Sequence, residues 1–131
     1  MVFPFQEDTF CAFNAFRNAV FLRGKGHVMN RLTRPADLDP FTCIEKIAHH
    51  VHLCGIPVRK HKARDLRMSL LKAKSGVFVF ESAGHCLCWS ASDKIIIDSS
   101  PLFPDAVEAS AKGLKRLGVT RRSIKKVYEL L

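Results

Sequence analysis

The chain predicts an α+β fold, with helices from its first half packed on an antiparallel sheet of about four strands from its second. Two observations carry this. Up to about residue 75 the apolar residues recur at three-and-four spacing; beyond Ser75-Gly76 they alternate at a spacing of two. Those are the periods of a helix face and of a pleated strand. One further helical stretch, residues 105–117, is inserted among the strands, and that order gives an α+β layout.

A length of 131 residues fits one compact domain spanning 1–131, and 47% apolar with 25% charged residues supports a true core. No internal repeat, low-complexity tract or linker-like break divides it.

The first element runs from Thr9 to about Leu22. Asp8 or Thr9 can cap it, because their side-chain oxygens accept from free backbone N–H groups. Ala12, Phe13, Ala15, Phe16, Ala19 and Val20 cover most of its circumference, so it belongs inside the domain. Asn14, Arg17 and Asn18 share one narrow stripe with Cys11, and that stripe is expected to face a cleft. Gly24 and Gly26 end the helix. A second helix is expected from Asp39-Pro40 to Cys54, with Pro40 in its first turn and Gly55 as its stop. A third spans Ala63 to Ala73 with Leu66, Leu70 and Leu71 on one face. Residues 77–80, 85–89 and 94–98 then read as three consecutive strands with short turns. Asp105 to Leu117 is an amphipathic helix stopped by Gly118, and Ser123 to Leu130 a last strand.

The strand pattern carries a chemical expectation. With the turn centred on Ala91-Ser92, His85 faces Asp98 and Leu87 faces Ile96, and opposed residues share a sheet face. A carboxylate there accepts from one imidazole nitrogen and leaves the other to take a proton. A register offset by two keeps both residues on one face. The complementary part is Cys11, at the start of the buried helix, where the positive end of the macrodipole lowers a thiol pKa. The Cys11 backbone N–H and the Gln6 amide are then two donors for an oxyanion. Taken singly, each residue has an ordinary structural reading: a buried thiol, a satisfied histidine, a turn aspartate. Together they describe a nucleophile, a base, an orienting group and an oxyanion donor.

The Gln6-Glu7 pair followed by Cys11-Ala12, and a helix containing Asn18, resembles the start of Josephin-type domains, a branch of the papain-like cysteine peptidases. The Gly84-His85 strand, the Ile-rich strand ending at Asp98-Ser99, the helix 105–117 and the last strand resemble the rest of that fold in order. The resemblance implies a papain-like fold and a thiol peptidase or ubiquitin isopeptidase activity. Cys11 would be the nucleophile, His85 the base, Asp98 the orienter, and Gln6 part of the oxyanion hole. Josephin domains usually carry an aromatic residue after the histidine, where this chain has Cys86, and commonly Asn where it has Asp98. The substrate would be a protein or peptide: a ubiquitin-like C-terminus, or a polyprotein junction. An apparent strand running to Leu131 fits a domain cut from a larger viral or mobile-element product.

Five cysteines, 11, 43, 54, 86 and 88, make an odd count without repeating spacing, so reduced thiols in an intracellular compartment, cytoplasmic or nuclear, are expected. Cys86 and Cys88 point the same way along a strand and are poorly placed to bridge each other. No signal-peptide pattern and no apolar run near the ~18 residues of a membrane span is present. The net charge of +9 comes from clusters at 59–67, 112–116 and 121–126. A solvated basic surface explains them; an acidic partner or nucleic acid is the alternative, on which the chain would be a basic binding module with a degenerate peptidase fold. Cys43, His49, His50, His52 and Cys54, with His61 nearby, have zinc-ligand chemistry but match no paired-ligand spacing, so no metal or other cofactor is expected.

Overall fold

The computed structural model describes residues 10–24, 32, 38–39, 42–62, 74–98, 106–120 and 123–131. It is an α+β arrangement of helices and one antiparallel sheet. The elements are α1 (Cys11–Leu22), α2 (Ile44–Leu53), β1 (Val58–His61), β2 (Val77–Ser82), β3 (His85–Ser90), β4 (Ile95–Asp98), β5 (Val107–Glu108), α3 (Ala111–Arg116) and β6 (Ile124–Leu130). The sheet has six strands in the order β1-β6-β2-β3-β4-β5, not four. Every neighbouring pair is antiparallel.

Both faces of the sheet are covered, which is why residues 77–80 of β2 and 86–89 of β3 are apolar without alternation. Val77, Val79, Cys86, Cys88, Ile97, Tyr128 and Leu130 pack with α1 and α2. Phe78, Phe80, Leu87, Trp89, Ile96 and Val127 pack on the opposite face with Leu114 of α3 and Val119. Strand alternation sends successive residues of β2 and β3 into opposite cores. The Phe78 and Trp89 rings, on facing strands, stack at 4.8 Å between centroids. β6 breaks the alternation: Ile124 and Val127 share one core, Tyr128 and Leu130 the other. The cause is a bulge, because Val79 pairs with Tyr128 but Glu81 with Lys125, leaving two residues of β6 against one of β2. Lys126 in the bulge takes φ +51°.

The helices differ from expectation at their starts. α1 begins at Cys11, two residues late, with Phe10 as N-cap and no side-chain cap; the anticipated caps Asp8 and Thr9 lie outside the described residues. α2 begins at Ile44 instead of Asp39; ahead of it, Thr42 N–H and Oγ1 both donate to the Asp39 carbonyl, and Pro40 lies outside the described residues. The helix expected over 105–117 is shortened to α3, since Val107 joins the sheet opposite Ile96 and Ser110 restarts the chain as N-cap, its hydroxyl accepting from Gly113 N–H at 3.1 Å. β1 replaces what read only as a basic cluster: it is an edge strand whose Arg59 and Lys60 are exposed. The third helix expected over 63–73 lies outside the described residues.

The helix ends follow the glycines. α2 and α3 close with the same paired bonds: Gly55 N–H to His52 O and Ile56 N–H to Val51 O, then Gly118 N–H to Lys115 O and Val119 N–H to Leu114 O. Both glycines are left-handed, at φ +85° and +73°. The polar stripe on α1 divides: Cys11 lines a cavity and Arg17 is half-exposed, whereas the two asparagines are enclosed. Asn14 and Asn18 are 1% and 0% exposed, enclosed in the core that α1 forms with the sheet and α2. No helix among the described residues is long and apolar enough to cross a membrane.

Candidate active site

The site forms where the N-terminus of α1 meets the rim of the sheet. Phe10 lies in the left-handed region (φ 57°, ψ 39°), and the first helical hydrogen bond is Asn14 N–H to the Phe10 carbonyl at 2.9 Å. Cys11 is therefore the first helical residue, and its N–H, with those of Ala12 and Phe13, has no acceptor within the helix. A bulky residue held at positive φ stores strain, which accumulates at functional sites.

His85 starts β3 directly after the two-residue turn Ala83-Gly84, both at positive φ (51° and 78°), as a tight hairpin of matching twist requires. Asp98 ends β4 and is 4% exposed. The register between these strands differs from the expected one. Leu87 pairs with Asp98 and Trp89 with Ile96, because the turn is the four-residue segment 91–94, with Lys94 at φ +56°. Ser90 holds that turn, its hydroxyl donating to Asp93 Oδ2 at 2.8 Å. The shift is two residues, so His85 and Asp98 stay on one face as diagonal neighbours. A diagonal pair is within reach of a long side chain. His85 Nε2 donates to Asp98 Oδ1 at 2.6 Å.

The imidazole also interacts with the Cys11 thiol, each shifting the ionisation of the other. With Nε2 engaged by Asp98, Nδ1 is the nitrogen left for the sulfur. Cys86, the next residue along β3, points to the α1 side and makes a second contact with Cys11. The thiol of Cys11 is drawn down from 9.0 to about 4. The largest cause is the hydrogen bond its sulfur receives from the Cys86 thiol. Burial opposes the shift; the bond from His85, the backbone N–H of Cys86 and the His85 charge reinforce it. His85 is pushed up to about 10, first by the hydrogen bond to Asp98 and then by that to Cys11, against the effect of burial. Cys86 is driven far above the ordinary thiol range by the Cys11 contact and by its own burial. Around neutral pH the site holds a Cys11 thiolate beside a His85 imidazolium, with Cys86 protonated.

A cavity of about 180 Å³ opens beside the sulfur, lined by Cys11, Thr42, Cys43, Ile44, Glu81, Gly84, Cys86 and Lys126. The β6 bulge swings Lys126 toward it, where its Nζ lies 3.0 Å from Glu45 Oε1 and 3.5 Å from Glu81 Oε2. Of the residues singled out from sequence, Cys11, His85 and Asp98 are brought together, and Gln6 lies outside the described residues. Cys86, Glu81 and Lys126 were not anticipated. The signal for Lys126 was present, since two consecutive lysines between Ile124 and Val127 cannot both obey strand alternation.

The histidine-rich segment forms pairs instead of a cluster. His50 Nε2 lies 3.7 Å from Cys54 Sγ, and His61 Nε2 bonds Glu129 Oε1 at 2.6 Å across the sheet. Among the described residues no three of His, Cys, Asp and Glu could jointly hold a metal ion. No protein-family model and no curated protein matches the chain.

Proposed function

We propose that this protein is a papain-like thiol peptidase, Josephin-like in layout, that hydrolyses a peptide or isopeptide bond through an acyl-thioester on Cys11. The observation that carries the reading is the continuous chain of contacts from Asp98 through His85 to the sulfur of Cys11. The Cys11 thiolate attacks the carbonyl carbon, and the developing oxyanion is received by the free N–H of Cys11 at the head of α1, with the Gln6 amide as second donor. The His85 imidazolium gives its Nδ1 proton to the leaving amine. The neutral ring then takes a proton from water as the thioester is hydrolysed. Asp98 fixes the ring through Nε2 in both steps. The substrate class is a protein with an extended tail at the scissile bond, either a ubiquitin-like C-terminus or a polyprotein junction.

The test is labelling by a peptide or ubiquitin C-terminal electrophile, mapped by mass spectrometry. One adduct at Cys11 is expected, abolished by Cys11→Ala and by His85→Ala. Labelling of the native protein spread over Cys43, Cys54, Cys86 and Cys88 would overturn the proposal.

A second reading, a basic binding module on a catalytically degenerate fold, is favoured by the exposure of Arg59, Lys60, Lys62, Lys112, Lys115, Arg116 and Lys125. It predicts nucleic-acid affinity that falls steeply with salt, the slope shrinking by about one unit for each phosphate-neutralising Lys or Arg replaced. Flat salt dependence dismisses it.

A further inference from the structure

Cys86 is a buried thiol that forms and breaks no bond in the peptidase mechanism, yet it lies against the nucleophile and helps to lower its ionisation. It projects from β3 into the core beneath the head of α1, is 5% exposed, and shares with Cys11 the wall of the 180 Å³ cavity. Cys11 is half-buried and opens to that cavity, so an oxidant from solvent meets Cys11 first. Cys88, two residues along the same strand, is fully buried, and Cys43 lies at the outer, exposed side of the cavity.

We propose that Cys86 is a resolving thiol: a hydroperoxide oxidises Cys11, and Cys86 captures the product as a reversible Cys11–Cys86 disulfide. In the first step the Cys11 thiolate attacks one oxygen of the hydroperoxide. An S–O bond forms and the O–O bond breaks. Sulfur gives up two electrons, and the departing oxygen leaves as water or an alcohol once protonated, with Cys11 as a sulfenic acid. In the second step the Cys86 sulfur attacks the Cys11 sulfur. The S–S bond forms, the S–O bond breaks, and the Cys86 proton departs with the hydroxyl as water. Two equivalents of a thiol reductant restore both cysteines by exchange.

The arrangement divides the labour between the two sulfurs. A thiolate is the form peroxides oxidise, and the site holds Cys11 in that form. Cys86 stays protonated and shielded, so it does not compete for the oxidant. Its advantage is proximity: once Cys11 carries a leaving hydroxyl, the neighbouring sulfur reacts intramolecularly before a second peroxide arrives. Without a resolving thiol, Cys11 would pass to the sulfinic and sulfonic acids, which thiols do not reverse.

The inference rests on Cys11 being a reactive thiolate and not on which bond it cleaves, so its test reads sulfur chemistry alone. The full chain is treated with hydrogen peroxide, its remaining thiols are blocked with a maleimide, and its peptides are mapped by mass spectrometry before and after reduction with dithiothreitol. The expected result is a Cys11–Cys86 linked peptide, two fewer maleimide labels, and full recovery of both on reduction. In Cys86→Ser, a near-isosteric change, Cys11 should over-oxidise, its recoverable fraction falling on the order of tenfold. Cys43→Ser should behave as wild type. A wild-type Cys11 that over-oxidises without a link, a link to Cys43, or a Cys86→Ser protein that still recovers would each overturn the proposal. The wild-type map decides the matter even where the variant folds poorly.

Discussion

The ionisation of Cys11 gives the sharpest quantitative prediction, and His85→Ala is the perturbation that exposes it. At pH 6 a thiol at its ordinary value of 9.0 is ionised to about one part in 10³, whereas Cys11, at about 4, is almost wholly thiolate. That gain of about 10³ is partly offset, because a more acidic sulfur is a weaker nucleophile. A Brønsted slope of about 0.4–0.5 over roughly five pH units removes about 10²- to 10²·⁵-fold. Cys11 should therefore react about 3- to 10-fold faster than an ordinary thiol at pH 6 and more slowly than one at pH 9. The profile matters more than the height. With a pyridyl disulfide as probe and occupancy of Cys11 read by mass spectrometry, the rate should be flat from about pH 5 to 9. In His85→Ala the imidazolium contributions vanish while the Cys86 hydrogen bond remains, so the plateau edge should move toward higher pH. A wild-type rate that climbs about tenfold per pH unit through neutrality would instead show Cys11 to be an ordinary thiol.

Three further outcomes follow from the same geometry. Asp98→Asn keeps an acceptor for His85 Nε2 and should retain labelling of Cys11 by the C-terminal electrophile, whereas Asp98→Ala should slow it about 10²-fold, as loss of a positioned acid–base group does. The ion pair should also shape stability against pH. The lowered Cys11 value adds stability that is lost as pH falls toward about 4, and the raised His85 value adds stability that is lost as pH rises toward about 10. Denaturation midpoints should plateau between the two unfolded values, 6.5 and 9.0, decline on either side, and lose both slopes in the Cys11→Ser/His85→Ala double variant. Gly113→Ala should destabilise despite the better helix propensity of alanine. Its Cβ would overlap the Glu108 carbonyl oxygen, which is backbone and cannot swing aside; a loss on the order of 2 kcal/mol in urea denaturation is expected.

What was legible in the sequence was what local pattern controls. The apolar runs at 77–80, 86–89 and 95–97 marked three consecutive strands because each side chain, on either face, enters or packs against a core. Gly24, Gly55 and Gly118 marked helix ends because each sits at positive φ there. The shared face of His85 and Asp98 was legible too, since it depends only on the parity of the turn. The register itself was not: Lys94 adopts a left-handed conformation that its side chain does not advertise, and the four-residue turn sits one residue further along the chain, which shifts the pairing by two. Non-local decisions were equally hidden. β1 exists because Val58–His61 finds β6 as a partner about 70 residues away, and Val107 leaves a helical pattern because Ile96 offers it a ladder. Cys86 looked like one more core thiol because nothing in strand periodicity says which helix end will lie above it.

The charges on β1 bear on a different property of the molecule. An edge strand can offer unpaired amides to a passing chain, and among the described residues β1 is an edge of the sheet, four residues long, with two adjacent exposed cations. Two copies approaching edge to edge would bring like charges together before any amide could bond. Like charges on that edge oppose such pairing, and neutralising Arg59 and Lys60 together should weaken the opposition.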